Sequence, residues 1–509
     1  MLALAFSASI AGIDAHVVRV ETDSAAGVPH FAIVGLPDRA LNESRERVRS
    51  AIVNSGFGFP PGRLLVNLAP ADMRKEGVGF DLPIALALLA TDEQIPPSAL
   101  RPFVVCGELA LDGSLRAVAG VLAMALAARA TGFAQLLVPE ANRAEAVLVD
   151  GIDVYAVPTL AEAVAVVLGR GATFRRSGTT VLEPATPQAA GDFADVRGQT
   201  LAKRALEIAA AGGHNVVLVG PPGCGKTMLA RRVPSILPAM TIAEALDVTK
   251  VYSIAGLLGS SPRVVDVRPF RAPHHTASRV SLVGGGTQPR PGEISLAQHG
   301  VLYLDELAEF SRATLEVLRQ PLEEGTVTIA RAAGTHTFPA RFTLIASMNP
   351  CPCGFRGIRG SDCRCDDAVV QRYLGKLSGP LLDRIDLHVA VSRVSFEDLV
   401  ERGPADSSAN IRARVEAARG VQKQRFGERF AGTNAAIAAA DVRRFCELDA
   451  DALALLENAV ARGTLSARAF DRIARVARTI ADLAGSPRIA RSHVAEALVY
   501  RASSSRTAA

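Results

Sequence analysis

The sequence predicts an α/β fold organised around a phosphate-binding loop, on three observations. Residues 220–227 read GPPGCGKT, residues 301–306 read VLYLDE, and apolar runs of strand length alternate with runs of helix length along most of the chain. The first two are the loop and the acidic strand that together hold a nucleoside triphosphate with Mg2+, so they fix the chemistry before anything else.

The bulk composition fits that reading. A chain of 509 residues is long enough for about two to four domains. At 49% hydrophobic and 21% charged, it has ample apolar material for sizeable cores. No apolar stretch approaches the roughly 18 residues of a membrane-spanning helix. The N-terminal MLALAFSASIAGIDAHVVRVE lacks a basic leader and alternates like a strand, so no signal peptide, no membrane partner and a cytoplasmic address are expected. The net charge of +5 permits a nucleic-acid partner without requiring one. Arginine clusters such as DRIARVAR serve equally well as solvated helix faces.

Residues 1–169 form the first unit. It opens with alternating apolar positions, continues through the helical LNESRERVRSAIVNSG, the strand-like RLLVNLAP and the apolar helix PIALALLATD, and closes with short buried strands, LLVPE and VYAVP, alternating with helices. It has no phosphate loop of its own. Residues 170–191, rich in Gly, Pro, Ser and Thr, read as a linker. The nucleotide-binding core spans 192–393. Residues 394–509 are mostly helical, from SFEDLVER through SARAFDRIARVARTIADL to ARSHVAEALVYRA.

In the core, HNVVLV (214–219) is a buried strand that runs directly into the loop, and TMLARRVPSIL continues as a helix, which is the strand–loop–helix context such a loop needs. Gly220, Gly223 and Gly225, with Pro221, Pro222 and Cys224 between them, let backbone amides close around phosphates. Lys226 would neutralise the β and γ phosphates, and Thr227 would hold Mg2+ through its hydroxyl at a helix N-terminus. Val301–Leu304 would deliver Asp305 and Glu306 to the carboxyl edge of the sheet, where open α/β sheets bind ligands. Asp305 would hold Mg2+ through water and Glu306 would act as general base, with LAEFSRATLEVLRQPLEE continuing as a helix beyond them. RFTLIASMN (341–349) is a third strand, ending in Asn349, whose side chain can orient water near the γ phosphate. The loop GPLLDRID presents Arg384 between two aspartates, and Arg468 begins a C-terminal helix that could close over the nucleotide; each is otherwise an ordinary surface arginine.

The order of these elements resembles an AAA+ ATPase, and local features narrow it to the magnesium-chelatase-like branch. RPFRAPHHTASRVSLVGGG (268–286) resembles that group's insertion, GEISLAQHGVLYLDELAEF (292–310) its acidic strand, and residues 315–354 its presensor hairpin and sensor strand. In the N-terminal half, FAIVGLPDRALNESRERVRSAI, DMRKEGVGFDLPIALALLA and GELALDGSLRAVAGVL resemble a Lon-protease-like domain. The combination resembles the ComM/YifB family over essentially the whole chain. The resemblance implies a P-loop AAA+ three-layer sandwich with a C-terminal helical lid, preceded by an α/β Lon-protease-like domain. It also implies a hexameric, ATP-driven motor of helicase or branch-migration type. Such a motor would act on single-stranded or branched DNA, in homologous recombination during natural transformation. Nucleotide would then lie between subunits, with Arg384 acting on the next protomer. The hairpin around Arg331 and the insertion with His274 and His275 would face the central channel; packing within the subunit is the alternative for these residues. Two other functions stay open: a chelatase-type motor driving metal insertion into a porphyrin, and a nucleotide-gated assembly scaffold.

One departure from the Lon pattern is informative. Active Lon-type proteases carry a serine after a Gly-Pro pair and a lysine in the helix after a Gly-Gly pair. Here Gly79 (in KEGVGFD) and Leu122 (in VAGVLAM) stand near those positions, so the first unit is expected to lack proteolytic chemistry.

Four of the seven cysteines fall within 351–365. Cys351 and Cys353 form one CxC pair and Cys363 and Cys365 another, nine residues apart, a set that can hold one tetrahedral Zn2+ or remain as four reduced thiols. Cys224 reads as a small filler in the loop, and Cys106 and Cys446 as core residues.

Overall fold

The computed structural model describes residues 2–71, 75, 77–170, 191–258, 264–286, 289–331, 334–357, 363–394, 406–427, 432–461 and 467–508. Most of the expected linker and all of the expected SFEDLVER helix lie outside them.

Seven strands build the first sheet: β1 (Leu2–Ala11), β2 (Asp14–Ala25), β3 (His30–Val34), β4 (Arg63–Ala69), β5 (Phe103–Val105), β6 (Gln135–Pro139) and β7 (Asp153–Val157), in the order β3-β4-β2-β1-β5-β6-β7. β1 and β2 pair antiparallel from Leu2 opposite Asp23 to Ala11 opposite Asp14. Their alternating apolar residues put Ala3, Ala5, Val18 and Val20 into one core. The helix Asp81–Thr91 is buried at every position, which is why its sequence is apolar all round. Its one charge, Asp81, is matched by Arg47 at 3.0 Å.

The second sheet is wholly parallel. β8 (Val216–Val219), β9 (Phe270–Arg271), β10 (Val301–Leu304), β13 (Thr343–Met348) and β14 (Leu387–Ala390) lie in the order β9-β10-β13-β8-β14. Between β10 and β13 in the chain, β11 (Thr326–Arg331) and β12 (Gly334–Pro339) form a separate hairpin. A buried parallel strand needs a continuous apolar run, and all four residues of β10 are at most 2% exposed. Each such side chain contributes about 1.5–3 kcal/mol by burial.

C-terminal helices pack back on this core. Helix Ser408–Phe426 lies against Thr200–Gly212, with Arg419 and Gln422 donating to the carbonyls of Ala210 and Ala211. Helix Ala467–Leu483 brings Thr479 to His214, whose other ring nitrogen meets Asp386 at 3.1 Å. The first unit also docks on the core through helix Ile242–Ala255. Lys250 pairs with Asp14, and the buried Glu145 carboxylate accepts both the Ser253 hydroxyl and the Leu122 amide. Among the described residues no helix is long and apolar enough to cross a membrane.

One expectation changes here. The segment after Glu306 is not one helix. It is a short 3-10 turn at Leu307–Glu309, then helices Arg312–Glu316 and Arg319–Glu324. Phe310 is extended, and Ser311 accepts the Thr314 amide as a new N-cap, so the chain stops and restarts.

Candidate nucleotide-binding site

Three adjacent parallel strands end at the same edge of the second sheet, and each ends in a group with a chemical use. β8 runs into the loop at Gly220, β10 into Asp305 and, in register between them, β13 into Asn349. Asn349 therefore sits between the phosphate loop and the acidic pair.

Lys226, at the start of helix Lys226–Arg232, is 9% exposed. Its Nζ donates to the carbonyls of Gly220 (2.7 Å) and Pro221 (2.8 Å) and to Asn349 Oδ1 (3.1 Å). Burial lowers its pKa from the ordinary ammonium value, against the pull of Cys224 and Asp305. The Thr227 hydroxyl donates to Asp305 Oδ2 at 2.9 Å. Ser347 donates to the other Asp305 oxygen. Burial disfavours the Asp305 carboxylate, but hydrogen bonds from Ser347, Thr227 and Tyr303 outweigh it and hold the carboxyl below its ordinary value. The aspartate is thus ionised and aimed, with its lone pairs directed at the Thr227 hydroxyl.

Tyr303 and Ser347 are members of this network that sequence reasoning passed over. The Tyr303 hydroxyl lies 3.2 Å from Thr227 Oγ1 and 3.1 Å from Ser347 Oγ. Gln199 was passed over as well: its amide donates to the carbonyls of Cys224 (3.2 Å) and Ser392 (2.6 Å), tying the loop to the segment after β14. A polar residue inside an otherwise apolar buried strand was the available signal for Tyr303 and Ser347. Gln199 offered none.

Glu306 has φ +52°, a left-handed conformation uncommon for a residue with a side chain. This turns its carboxylate out of the β10 line. It meets His275 Nδ1 at 3.4 Å, and His275 in turn packs against His274, ring centroids 4.1 Å apart and tilted by 34°. The structure therefore places His275, expected at a channel, beside the acid of the site.

Known proteins resemble this chain in sequence over nearly its whole length. The family model described as magnesium chelatase, subunit ChlI matches residues 192–399, that of subunit ChlI of Mg-chelatase matches 20–142, and that of the ChlI C-terminal region matches 405–501. The chain is 44% identical to competence protein ComM of Haemophilus influenzae over 508 residues, covering 98% of this chain and 97% of that one. It is 42% identical to protein YifB of Escherichia coli over 505 residues (98% and 97%), and 44% identical to a Mycobacterium tuberculosis protein over 506 residues (99% of each). The chain belongs to the ComM/YifB family of magnesium-chelatase-like AAA+ proteins.

Arg384, one of the two arginines expected at a ComM/YifB site, is not joined to these residues within the subunit. Arg384 pairs with Glu323 and donates to the Pro380 carbonyl at 2.7 Å, and its Nε is buried without a partner. The flanking aspartates are engaged elsewhere, Asp383 with Arg472 at 3.9 Å and Asp386 with His214. Arg468 lies in the first turn of helix Ala467–Leu483, and its side chain is outside the described residues, as is that of Arg331 at the end of β11.

The four clustered cysteines follow Asn349 directly, and their sulfurs all lie within 4.8 Å of one another. The other three cysteines are single. Cys224 is buried 3.9 Å from Lys226 Nζ, and burial pushes the thiols of Cys106 and Cys446 up to about 12.

Proposed function

We propose that this chain is an ATP-hydrolysing motor that assembles as a hexameric ring and acts on single-stranded or branched DNA during recombination of incoming DNA. The observation that carries the chemistry is two hydrogen-bonded pairs, Lys226 with Asn349 and Thr227 with Asp305, set side by side at the ends of three neighbouring strands. The DNA-related part rests on the full-length similarity to a competence protein.

In this reading the loop amides of residues 220–227 and Lys226 bind the triphosphate, and Thr227 with Asp305 holds Mg2+, which supplies charge neutralisation at the phosphates. Glu306 takes a proton from the attacking water, and Asn349 orients that water. Arg384, partly exposed in its own subunit, reaches the neighbour's site, and Arg468 closes from the helical region. The domain assignment follows: 1–169 for assembly or DNA contact, 170–191 as linker, 192–393 as the ATPase core and 394–509 as the lid. Leu122 is fully buried in an apolar cluster, which supports a first unit without a proteolytic base.

The test is the ATPase rate of the full chain with and without single-stranded, duplex and four-way-junction DNA. Stimulation by DNA, lost as salt rises, is expected. Indifference to every DNA, with ATP still hydrolysed, would overturn the DNA motor in favour of a scaffold or chelatase-type role.

A further inference from the structure

We propose that Cys351, Cys353, Cys363 and Cys365 bind one structural Zn2+, and that this metal seats the loop after β13 against the phosphate loop. Three of the six sulfur separations are 3.3 Å (Cys351–Cys353), 3.6 Å (Cys353–Cys363) and 3.8 Å (Cys351–Cys363), and every pair, those with Cys365 included, lies within 4.8 Å. A tetrahedron with Zn–S bonds of about 2.3 Å has edges of about 3.8 Å. Disulfides require roughly 2.05 Å and are absent from this set. A cluster of several irons bridged by sulfide would hold its cysteine sulfurs farther apart, so a single ion is the better fit.

The surroundings are those of a thiolate site. Backbone amides donate to the sulfurs: Phe355 to Cys353, Cys353 to Cys365, and Cys365 to Cys363. Such N–H···S bonds orient ligands and offset the charge of four thiolates. Cys351 is fully buried, and Arg393 lies over the Phe355 ring at 5.6 Å, adding a nearby positive charge.

Gly354 links this site to the nucleotide. It directly follows Cys353, donates its amide to the Cys351 carbonyl at 2.9 Å and has φ +85°. A Cβ there would lie 2.5 Å from Pro222 Cδ in the phosphate loop and 3.7 Å from the Asn349 side chain. The cysteine loop therefore packs closely on the loop that cradles phosphate and passes beside the residue that accepts from Lys226. Closing the loop on a metal fixes that contact. The zinc assignment stands on the sulfur geometry alone; the coupling to nucleotide rests on the ATP-binding reading above.

The two parts are tested separately in the full-length protein. Metal analysis of the purified chain should give about one zinc per chain, released to a chromogenic chelator on titration with a mercurial. Cys353→Ser combined with Cys363→Ser should abolish it. A chain that holds no zinc after exposure to excess Zn2+ and dialysis, or that holds iron with visible absorption, overturns the site whether or not the double variant folds. For the coupling, binding of a fluorescent ATP analogue with Mg2+ is compared before zinc removal, after it, and after reloading. A severalfold loss restored by zinc is expected. Unchanged affinity overturns the coupling and leaves the metal site standing; failure of the zinc-loaded protein to bind the analogue at all would overturn the ATP-binding reading instead.

Discussion

Replacing Asn349 by Asp tests the site at its junction. The amide oxygen of Asn349 accepts from Lys226 Nζ at 3.1 Å, and binding a triphosphate requires Nζ to exchange contacts of this kind for phosphate oxygens. A carboxylate in the same place would attract the ammonium by about 5 kcal/mol at an effective dielectric of about 20. It would repel a phosphate charge roughly 4 Å away by about 4 kcal/mol on the same scale. Both effects oppose nucleotide. If desolvation and screening leave only about 2 kcal/mol, the Kd still rises about 30-fold. Asn349→Ala is the contrasting variant: Nζ keeps the Gly220 and Pro221 carbonyls, no charge is added, and binding should persist while turnover falls. Titration of each variant with a fluorescent ATP analogue and Mg2+, beside a thermal melt to show equal folding, separates the two. If Asn349→Asp binds nucleotide as tightly as the parent chain, Asn349 does not face the phosphates and the reasoning fails.

Glu306→Gln should retain bound ATP and lose turnover, read by nucleotide retention on a desalting column; hydrolysis at the parental rate would remove Glu306 from its role. Arg384→Ala should bind ATP but not hydrolyse it. Mixing it with Glu306→Gln should restore part of the activity, because some interfaces then combine an intact Glu306 with an intact Arg384; no restoration speaks against action between subunits. Stability should also fall in acid through His388. Burial, then the nearby Arg501, lowers its pKa from 6.5 to about 4. A lowered pKa leaves the folded state favoured above pH 6.5 and progressively disfavoured as pH drops to about 4, by on the order of 3 kcal/mol. His388→Gln should flatten the pH dependence of the melting temperature in that window.

The parts of the site legible in the sequence were contiguous ones. Loop 220–227 and the strand ending in Asp305 and Glu306 each carry their own context, strand before and turn after. Asn349 was legible because a strand ending in a polar residue has one obvious place to put it. Tyr303 and Ser347 were not, because their contact depends on β10 lying beside β13 in register, and sequence order does not give strand order. The helix expected after Glu306 failed for a local reason that was readable in principle. Ser311 followed by Thr314 is an N-cap pattern, and it marks a restart inside what apolar periodicity alone extends as one helix. Arg384 was read between two aspartates, but neighbours in sequence are not partners in space: the bond goes to Glu323, 61 positions away.

Contacts around the β11–β12 hairpin constrain how it could move within the subunit. β12 of the hairpin meets the turn between β1 and β2, where a Cβ on Gly12 would lie 2.9 Å from the Thr337 carbonyl oxygen. The other side of that turn is held by Asp14 to Lys250, on the helix that also gives Ser253 to Glu145. The helix reaches the ATPase core through Tyr252, whose hydroxyl donates to the Leu296 carbonyl at 3.2 Å. A hairpin that moves with the nucleotide state must therefore either slide past Gly12 or carry the first unit with it. Sliding leaves the Lys250–Asp14 and Ser253–Glu145 contacts intact, whereas carrying the unit as a block breaks both and exposes the buried Glu145 carboxylate. Because burial holds Glu145 above its ordinary pKa, breaking those contacts would be easier once it is ionised, so block motion would grow more favourable as pH rises.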